Sequence, residues 1–93
     1  MQDREEFYKN LKSKLKKGTK FPSKYLFKFI VKGEENKEKE VEDIFNHMGA
    51  VITKNKSKTG KYISVSIIVN MKSADAVIDK YLEAEKVEGI ISL

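Results

Sequence analysis

The sequence of 93 residues contains no cysteine and only one histidine. Without cysteine the chain can form no disulfide, no thiolate metal site and no cysteine nucleophile. A single histidine also excludes a histidine pair and a multi-histidine metal site within one chain. His47 is therefore predicted to have a structural or surface role near a helix end, and the chain is predicted not to be an enzyme unless a second chain completes a site.

The sequence also lacks long apolar runs. Its longest strongly apolar stretches, Tyr25 to Val31 and Ile63 to Met71, are much shorter than the roughly 20 residues of a membrane-spanning helix. The N-terminus has neither the basic start nor the apolar middle of a secretion signal. Phosphate-binding, dinucleotide-binding and calcium-loop motifs are missing as well. We expect a cytoplasmic protein with no membrane association, no metal and no cofactor.

Charge is unevenly distributed along the chain, whose formal net charge is +5. Between Lys9 and Lys32 all charged residues are lysines, whereas acidic residues crowd the segment from Glu34 to Asp43. Arg4 is the only arginine, although arginine is the residue typical of bidentate phosphate and base recognition. Nucleic acid is therefore an alternative partner rather than the leading one.

The hydrophobic pattern predicts a definite order of elements. Apolar residues recur at helical spacing around residues 3–17, 41–48 and 74–82, and alternate with period two in residues 24–32 and 61–71. Residues 50–58 are predicted to form the strand between them. Gly49 is expected to end the second helix, Thr59-Gly60 to form a hairpin turn, Ser73 to cap the third helix, and Ile90 to Leu93 to form a last strand.

This order predicts an α+β fold, a ferredoxin-like βαββαβ sandwich with an extra N-terminal helix. The expected sheet has four antiparallel strands in the order 4-1-3-2, with two helices on one face. Residues 1–20 are predicted to form a lysine-rich helical extension, and residues 21–93 the ferredoxin-like domain.

The outer face of this sheet is predicted to carry candidate binding residues. Lys28, Tyr62, Ser64 and Ser66 should lie there among Leu26, Ile30 and Ile68, which makes the face too apolar to be left bare. There are three alternatives for what covers this face: the N-terminal helix with Phe7, Leu11 and Leu15, a second copy of the chain, or another protein.

A second candidate surface is a basic stripe formed by Lys54, Lys56 and Lys58 of the second strand, with Lys61 beyond the turn. It is suited to phosphate or to an acidic partner, and edge protection of the sheet explains it equally well. Because the fold also carries RNA-recognition domains, we compared the third strand with their aromatic pattern. Only Tyr62 provides a ring, and Ser64 and Ile67 stand where further aromatics are expected.

Several segments resemble the YbeD-like family of small bacterial proteins. They are Phe21-Pro22 with Tyr25 to Phe29, Ser57 with Gly60 to Ser66, and the ending Lys86 to Leu93. The resemblance implies a domain similar to ACT regulatory domains, in a family described as lipoate-linked regulators. Such domains hold a small ligand near the loop after the first strand, here Lys32 to Glu35, where Gly33 matches the expected glycine. Lys61 is the lysine that lipoate attachment would require.

The sequence thus predicts a non-catalytic regulatory or adaptor domain. Its partner is expected to be a protein or a small metabolite, bound through the sheet face or edges, with a homodimer as one arrangement. The alternative is an RNA or DNA binder that uses the lysine-rich helix and the second strand.

Overall fold

The structure, a computed structural model, describes residues 4–33 and 35–92. Its three helices and four strands follow the predicted order. They are α1 (Arg4–Gly18), β1 (Ser23–Lys32), α2 (Lys37–Ile44), β2 (Val51–Lys56), β3 (Tyr62–Met71), α3 (Ala74–Ala84) and β4 (Ile91–Ser92). The predicted positions Asp3, Glu34 and Leu93 lie outside the described residues.

The four strands form one antiparallel sheet in the order β2-β3-β1-β4, which confirms the predicted order 4-1-3-2. β1 and β3 pair along ten residues, from Ser23 opposite Met71 to Lys32 opposite Tyr62. Within the described residues, β4 pairs with β1 at Phe29 and Ile30. Because opposite residues of a ladder point to the same side of a sheet, this register fixes both faces.

The core lies between one face of the sheet and α2 and α3. Phe27 and Phe29 of β1 have no exposed surface, and Val65 and Ile67 of β3 lie beside them, equally buried. Val77 of α3 closes the other side. Burying a side chain of this size stabilises the fold by about 1.5 to 3 kcal/mol. The alternating pattern of β1 and β3 therefore becomes one buried face and one face that none of the described elements covers.

α2 ends earlier than the sequence pattern predicts. The helix stops at Ile44, and the chain continues through turns to Gly49. His47 and Gly49 both have positive φ, at 66° and 70°, outside the helical region. Lys80 of α3 donates a hydrogen bond to the Ile44 carbonyl at 2.9 Å. Phe45, the first residue after the helix, is buried in the core.

β2 is shorter than the predicted segment 50–58. Ser57 already belongs to the hairpin turn: its N–H donates to the Tyr62 carbonyl at 2.9 Å, and its own carbonyl accepts from the Gly60 N–H at 3.0 Å. Gly60 has a φ of 75°, which a residue with a Cβ rarely adopts. The turn therefore begins at Ser57, and Lys58 lies outside the strand.

α1 packs against α3 on the helix side of the sheet. Leu15 is buried in the core cluster, and Tyr8 and Leu11 pack against it. Lys12 forms an ion pair with Asp75 at the start of α3. Phe7, predicted to lie on the inner stripe, is instead half exposed. α1 thus does not cover the outer face of the sheet, and that alternative was wrong.

Candidate functional site

The candidate site is the sheet face opposite the core, called here the open face. It consists of the outward-pointing residues of the four strands, which the register identifies. They are Lys24, Leu26, Lys28, Ile30, Lys32, Val51, Thr53, Asn55, Tyr62, Ser64, Ser66, Ile68, Asn70 and Ile91. Four of the predicted candidates, Lys28, Tyr62, Ser64 and Ser66, are brought together on this face.

An apolar row crosses three neighbouring strands of the open face. Val51 lies opposite Ile68, and Ile68 lies opposite Leu26. Their exposed fractions are 64%, 44% and 49%. Directly opposite residues on one face are close enough for their side chains to touch. The row is therefore a continuous aliphatic strip in contact with solvent.

The next row along the strands is polar. Thr53 lies opposite Ser66, which in turn lies opposite the exposed Lys28. Beyond it, Ser64 donates a hydrogen bond to the Asn55 carbonyl at 3.5 Å. The two hydroxyls of Thr53 and Ser66 and the Lys28 ammonium are thus hydrogen-bonding groups set directly beside the aliphatic strip.

The far end of the open face combines aliphatic and aromatic surface with charge. Ile30 lies opposite Ile91, and Lys32 lies opposite Tyr62. Tyr62 and Ile91 are each about half exposed. Two apolar areas therefore flank the central polar row.

Gly33, carried over from the resemblance as a ligand-loop residue, has a packing role. Its N–H donates to the Lys61 carbonyl at 2.9 Å. A Cβ at this position would lie 2.5 Å from the Gly60 carbonyl oxygen, which is far inside van der Waals contact. The end of β1 thus passes too close to the hairpin turn for any side chain.

The remaining lysine candidates do not join the open face. Lys54 and Lys56 lie opposite the buried Val65 and Ile63, so they point to the helix side of β2. Lys54 forms an ion pair with Glu42 of α2 at 3.1 Å. Lys58 and Lys61 belong to the exposed hairpin turn. The four lysines therefore do not form one continuous stripe.

A family of unknown function covers most of the chain. Residues 16–92 match the family described as "Protein of unknown function (DUF493)". The chain belongs to this family. No curated protein and no solved structure shows significant similarity to the chain. The region matched to DUF493 begins inside α1 and contains every strand of the open face.

Most of α1 precedes the DUF493 match, and α1 forms a separate feature that the sequence did not reveal. A groove of about 540 Å³ runs between α1 and α3, lined by residues that include Tyr8, Lys12, Asp75 and Leu82. The hydrogen bond from Lys12 lowers the pKa of Asp75. This groove lies on the helix side, away from the open face.

Three tyrosines connect α1, β1 and α3. The hydroxyls of Tyr25 and Tyr81 are 2.9 Å apart, and Tyr8 donates a hydrogen bond to Glu85. Burial, followed by the hydrogen bond with Tyr25, raises the pKa of the Tyr81 phenol above its usual range. A signal was present in the sequence, since Tyr8 precedes Leu11 by three residues, a helical spacing.

The remaining predictions concern His47, metal sites and membrane-spanning helices. His47 is exposed in the turn after α2. Within the described residues, no three His, Cys, Asp or Glu side chains are grouped as a metal site would require. None of the helices in that part of the chain has the length and apolar character needed to cross a membrane.

Proposed function

We propose that this DUF493 protein is a non-catalytic binding domain that engages a protein partner through the open face. The observation that supports this most directly is the strip of Leu26, Ile68 and Val51, three aliphatic side chains in solvent on neighbouring strands. Contiguous exposed apolar surface beside polar groups is typical of interaction sites. A regulatory or adaptor role would use this binding.

The shape of the face favours a protein over a small metabolite. Small-molecule sites are generally concave and enclose most of the ligand. Leu26, Tyr62 and Ile68 line none of the grooves described between or beside the helices. A broad sheet surface of this kind suits the side chains of another protein.

Nucleic acid remains the second candidate from the sequence, but the geometry gives it less support. α1 shares a groove with Tyr25 of β1 and Ser92 of β4, whereas β2 forms the opposite edge of the sheet. The two lysine-rich elements therefore do not make one surface. The open face has a single aromatic ring, Tyr62, for base stacking.

The lipoate-linked role implied by the resemblance to YbeD-like proteins stays a prediction. Lys61 lies in an exposed turn, a position that a modifying enzyme could reach. The open-face proposal does not depend on this modification.

The test is affinity capture from the native cell lysate with the intact chain and with a Leu26→Asp, Ile68→Asp double variant. Two carboxylates in the aliphatic strip would oppose burial against a partner, because ionised groups are costly to desolvate. We expect partner proteins identified by mass spectrometry to be retained by the intact chain and lost from the double variant.

Phe7→Asp is the matched control. Phe7 is as exposed as Leu26, at 50% against 49%, but it belongs to α1 on the other side of the sheet. This variant should retain the partners. Identical capture by the intact chain and the double variant, with both folded by circular dichroism, would refute the open face as the binding surface. Partners released by salt and by nuclease treatment would instead support the nucleic-acid alternative.

A further inference from the structure

We infer that the partner of the open face presents carboxylates interspersed with aliphatic side chains. This inference rests on the proposed function and adds the chemistry of the partner to it. It follows from where the charges lie on the two sides of the sheet.

The four described strands contain no acidic residue. The chain has 14 Asp and Glu, and those described lie in the helices and connecting segments. The strands contain five lysines, Lys24, Lys28, Lys32, Lys54 and Lys56. The strands are therefore positively charged, and the described acidic groups lie outside them.

Three of these lysines form a column on the open face. Lys24, Lys28 and Lys32 recur every fourth residue of β1, the strand between β3 and β4. Leu26 and Ile30 stand between them. Within the described part of the chain, no ion pair reaches Lys24 or Lys28. The column therefore offers cations to an incoming partner.

A second copy of the chain does not complement this face. In a symmetric dimer the same patch meets itself, so neither described face would supply a carboxylate to the lysines of the other. Like charges at an interface are unfavourable when they are desolvated. Charge complementarity instead favours a partner with acidic groups.

The size of the face favours reversible binding. Strands about 4.8 Å apart, rising about 3.3 Å per residue, give it a flat area on the order of 400 to 500 Å². This is less than the roughly 800 Å² that each partner buries in a standard stable complex. The face is thus suited to a short segment of a partner rather than to a permanent subunit.

The spacing along β1 defines a probe. Leu26 and Ile30 are four positions apart on the strand, a distance of about 13 Å, and Lys28 lies midway between them. On a helix, leucines at i and i+8 with a glutamate at i+4 lie on one stripe and span about 12 Å. A helical peptide with this Leu-Glu-Leu stripe would place its carboxylate over Lys28 and its leucines over the aliphatic residues on either side.

The experiment titrates the isotope-labelled full chain with this peptide and with peptides in which glutamine or lysine replaces the glutamate, following amide shifts by NMR. We expect the glutamate peptide to shift the amides of residues 26–30 and 64–68. Its affinity should exceed that of the lysine peptide by about tenfold, with glutamine between them, and this difference should shrink at high salt.

Charge reversal on the protein makes the inference sharper. Lys28→Glu should lower the affinity for the glutamate peptide and raise the affinity for the lysine peptide, each by about tenfold. Lys58→Glu introduces the same charge change in the exposed turn, outside the open face, and should alter neither affinity by a comparable amount. A reciprocal switch confined to Lys28→Glu supports direct pairing rather than a change in overall charge.

Two outcomes would overturn the inference while leaving the proposed function standing. One is equal binding of all three peptides at the open face, which would mean an apolar partner without charge preference. The other is self-association of the intact chain that Leu26→Asp abolishes, which would mean a second copy. Shifts confined to α1 and α3, or binding of an RNA homopolymer at residues 26–30 in place of the glutamate peptide, would overturn both.

Discussion

The two faces of β1 differ in burial although both contain large apolar side chains. Phe27 and Phe29 point to the core and have no exposed surface, whereas Leu26, between Tyr25 and Phe27 in the chain, is half exposed. The difference arises because α2 and α3 cover only one side. Hydrophobicity alone therefore does not define the core of this sheet, since the same strand supplies both a buried face and a solvent-facing one.

Aromatic rings follow the same division. Phe27 lies 5.0 Å from Phe45 and 5.1 Å from Tyr81, measured between ring centroids, and Tyr25 lies 4.7 Å from Phe27. The open face has Tyr62 alone. Rings in these tilted and edge-on arrangements contribute about 0.5 to 1.5 kcal/mol per pair beyond their burial. The core face is thus built for stability, and the open face is available for binding.

The largest loss of folding stability is expected from substitution of Phe27. Phe27→Ala should lower the free energy of unfolding by about 3 to 5 kcal/mol because it leaves a cavity among packed rings. Leu26→Ala, one residue away, should change it by less than about 0.5 kcal/mol. Urea denaturation followed by circular dichroism measures both.

Phe27→Leu provides a milder variant if the alanine variant does not fold, with an expected loss of about 1 to 2 kcal/mol. Equal losses at Leu26 and Phe27 would show that the outer side of β1 is buried in solution.

A smaller effect is expected at Gly33, where both faces of β1 end. Gly33→Ala should destabilise the protein by about 1 to 3 kcal/mol, because the new methyl group would overlap the Gly60 carbonyl. Gly18→Ala is the control, since a Cβ at Gly18 meets nothing within 4 Å. Thermal unfolding of the two variants compares them, and a neutral Gly33→Ala would mean that the turn is free to move away.

The smallest expected effect is the dependence of folding stability on pH that arises from Tyr81 on the core face. Burial raises the pKa of Tyr81 in the folded state, so its contribution to stability is complete below about pH 10, the unfolded value, and is lost as the pH rises further. By about pH 11 this loss should approach 1 kcal/mol. Tyr81→Phe should show a shallower decline than the intact chain, whereas Tyr62→Phe on the open face should not.

Much of the fold could be predicted from the sequence because period-two alternation assigns each strand residue to a face. The turn at Gly60 and the cap at Ser73 help to delimit the elements, whereas the strand order follows from β1 and β3 being the most apolar strands and from the lysines of β2, which are typical of a sheet edge. Ser73 does accept a hydrogen bond from the Ala76 N–H at 3.1 Å. The same alternation correctly grouped Lys28, Tyr62, Ser64 and Ser66 on one face.

Features that depend on packing could not be predicted in this way. Phe7 and Tyr8 both stand at helical spacing from Leu11, and only contact with α3 selects Tyr8. Phe45 continues the helical spacing of apolar residues in α2, yet it is buried in the core from a position after the end of the helix. Gly33 is required by the approach of β1 to the hairpin turn, and this contact involves residues that are distant in the sequence.

The brief pairing of β4 gives the sheet unequal strength from its centre to this edge. Up to Ser92, the last described residue, two residue pairs join β4 to β1, whereas ten join β1 to β3. Local opening of such an edge requires less free energy than global unfolding. Amide protons at residues 91 and 92 should therefore exchange with solvent deuterium long before those of β3, and the open face is expected to lose Ile91 transiently while the rest of it stays in place.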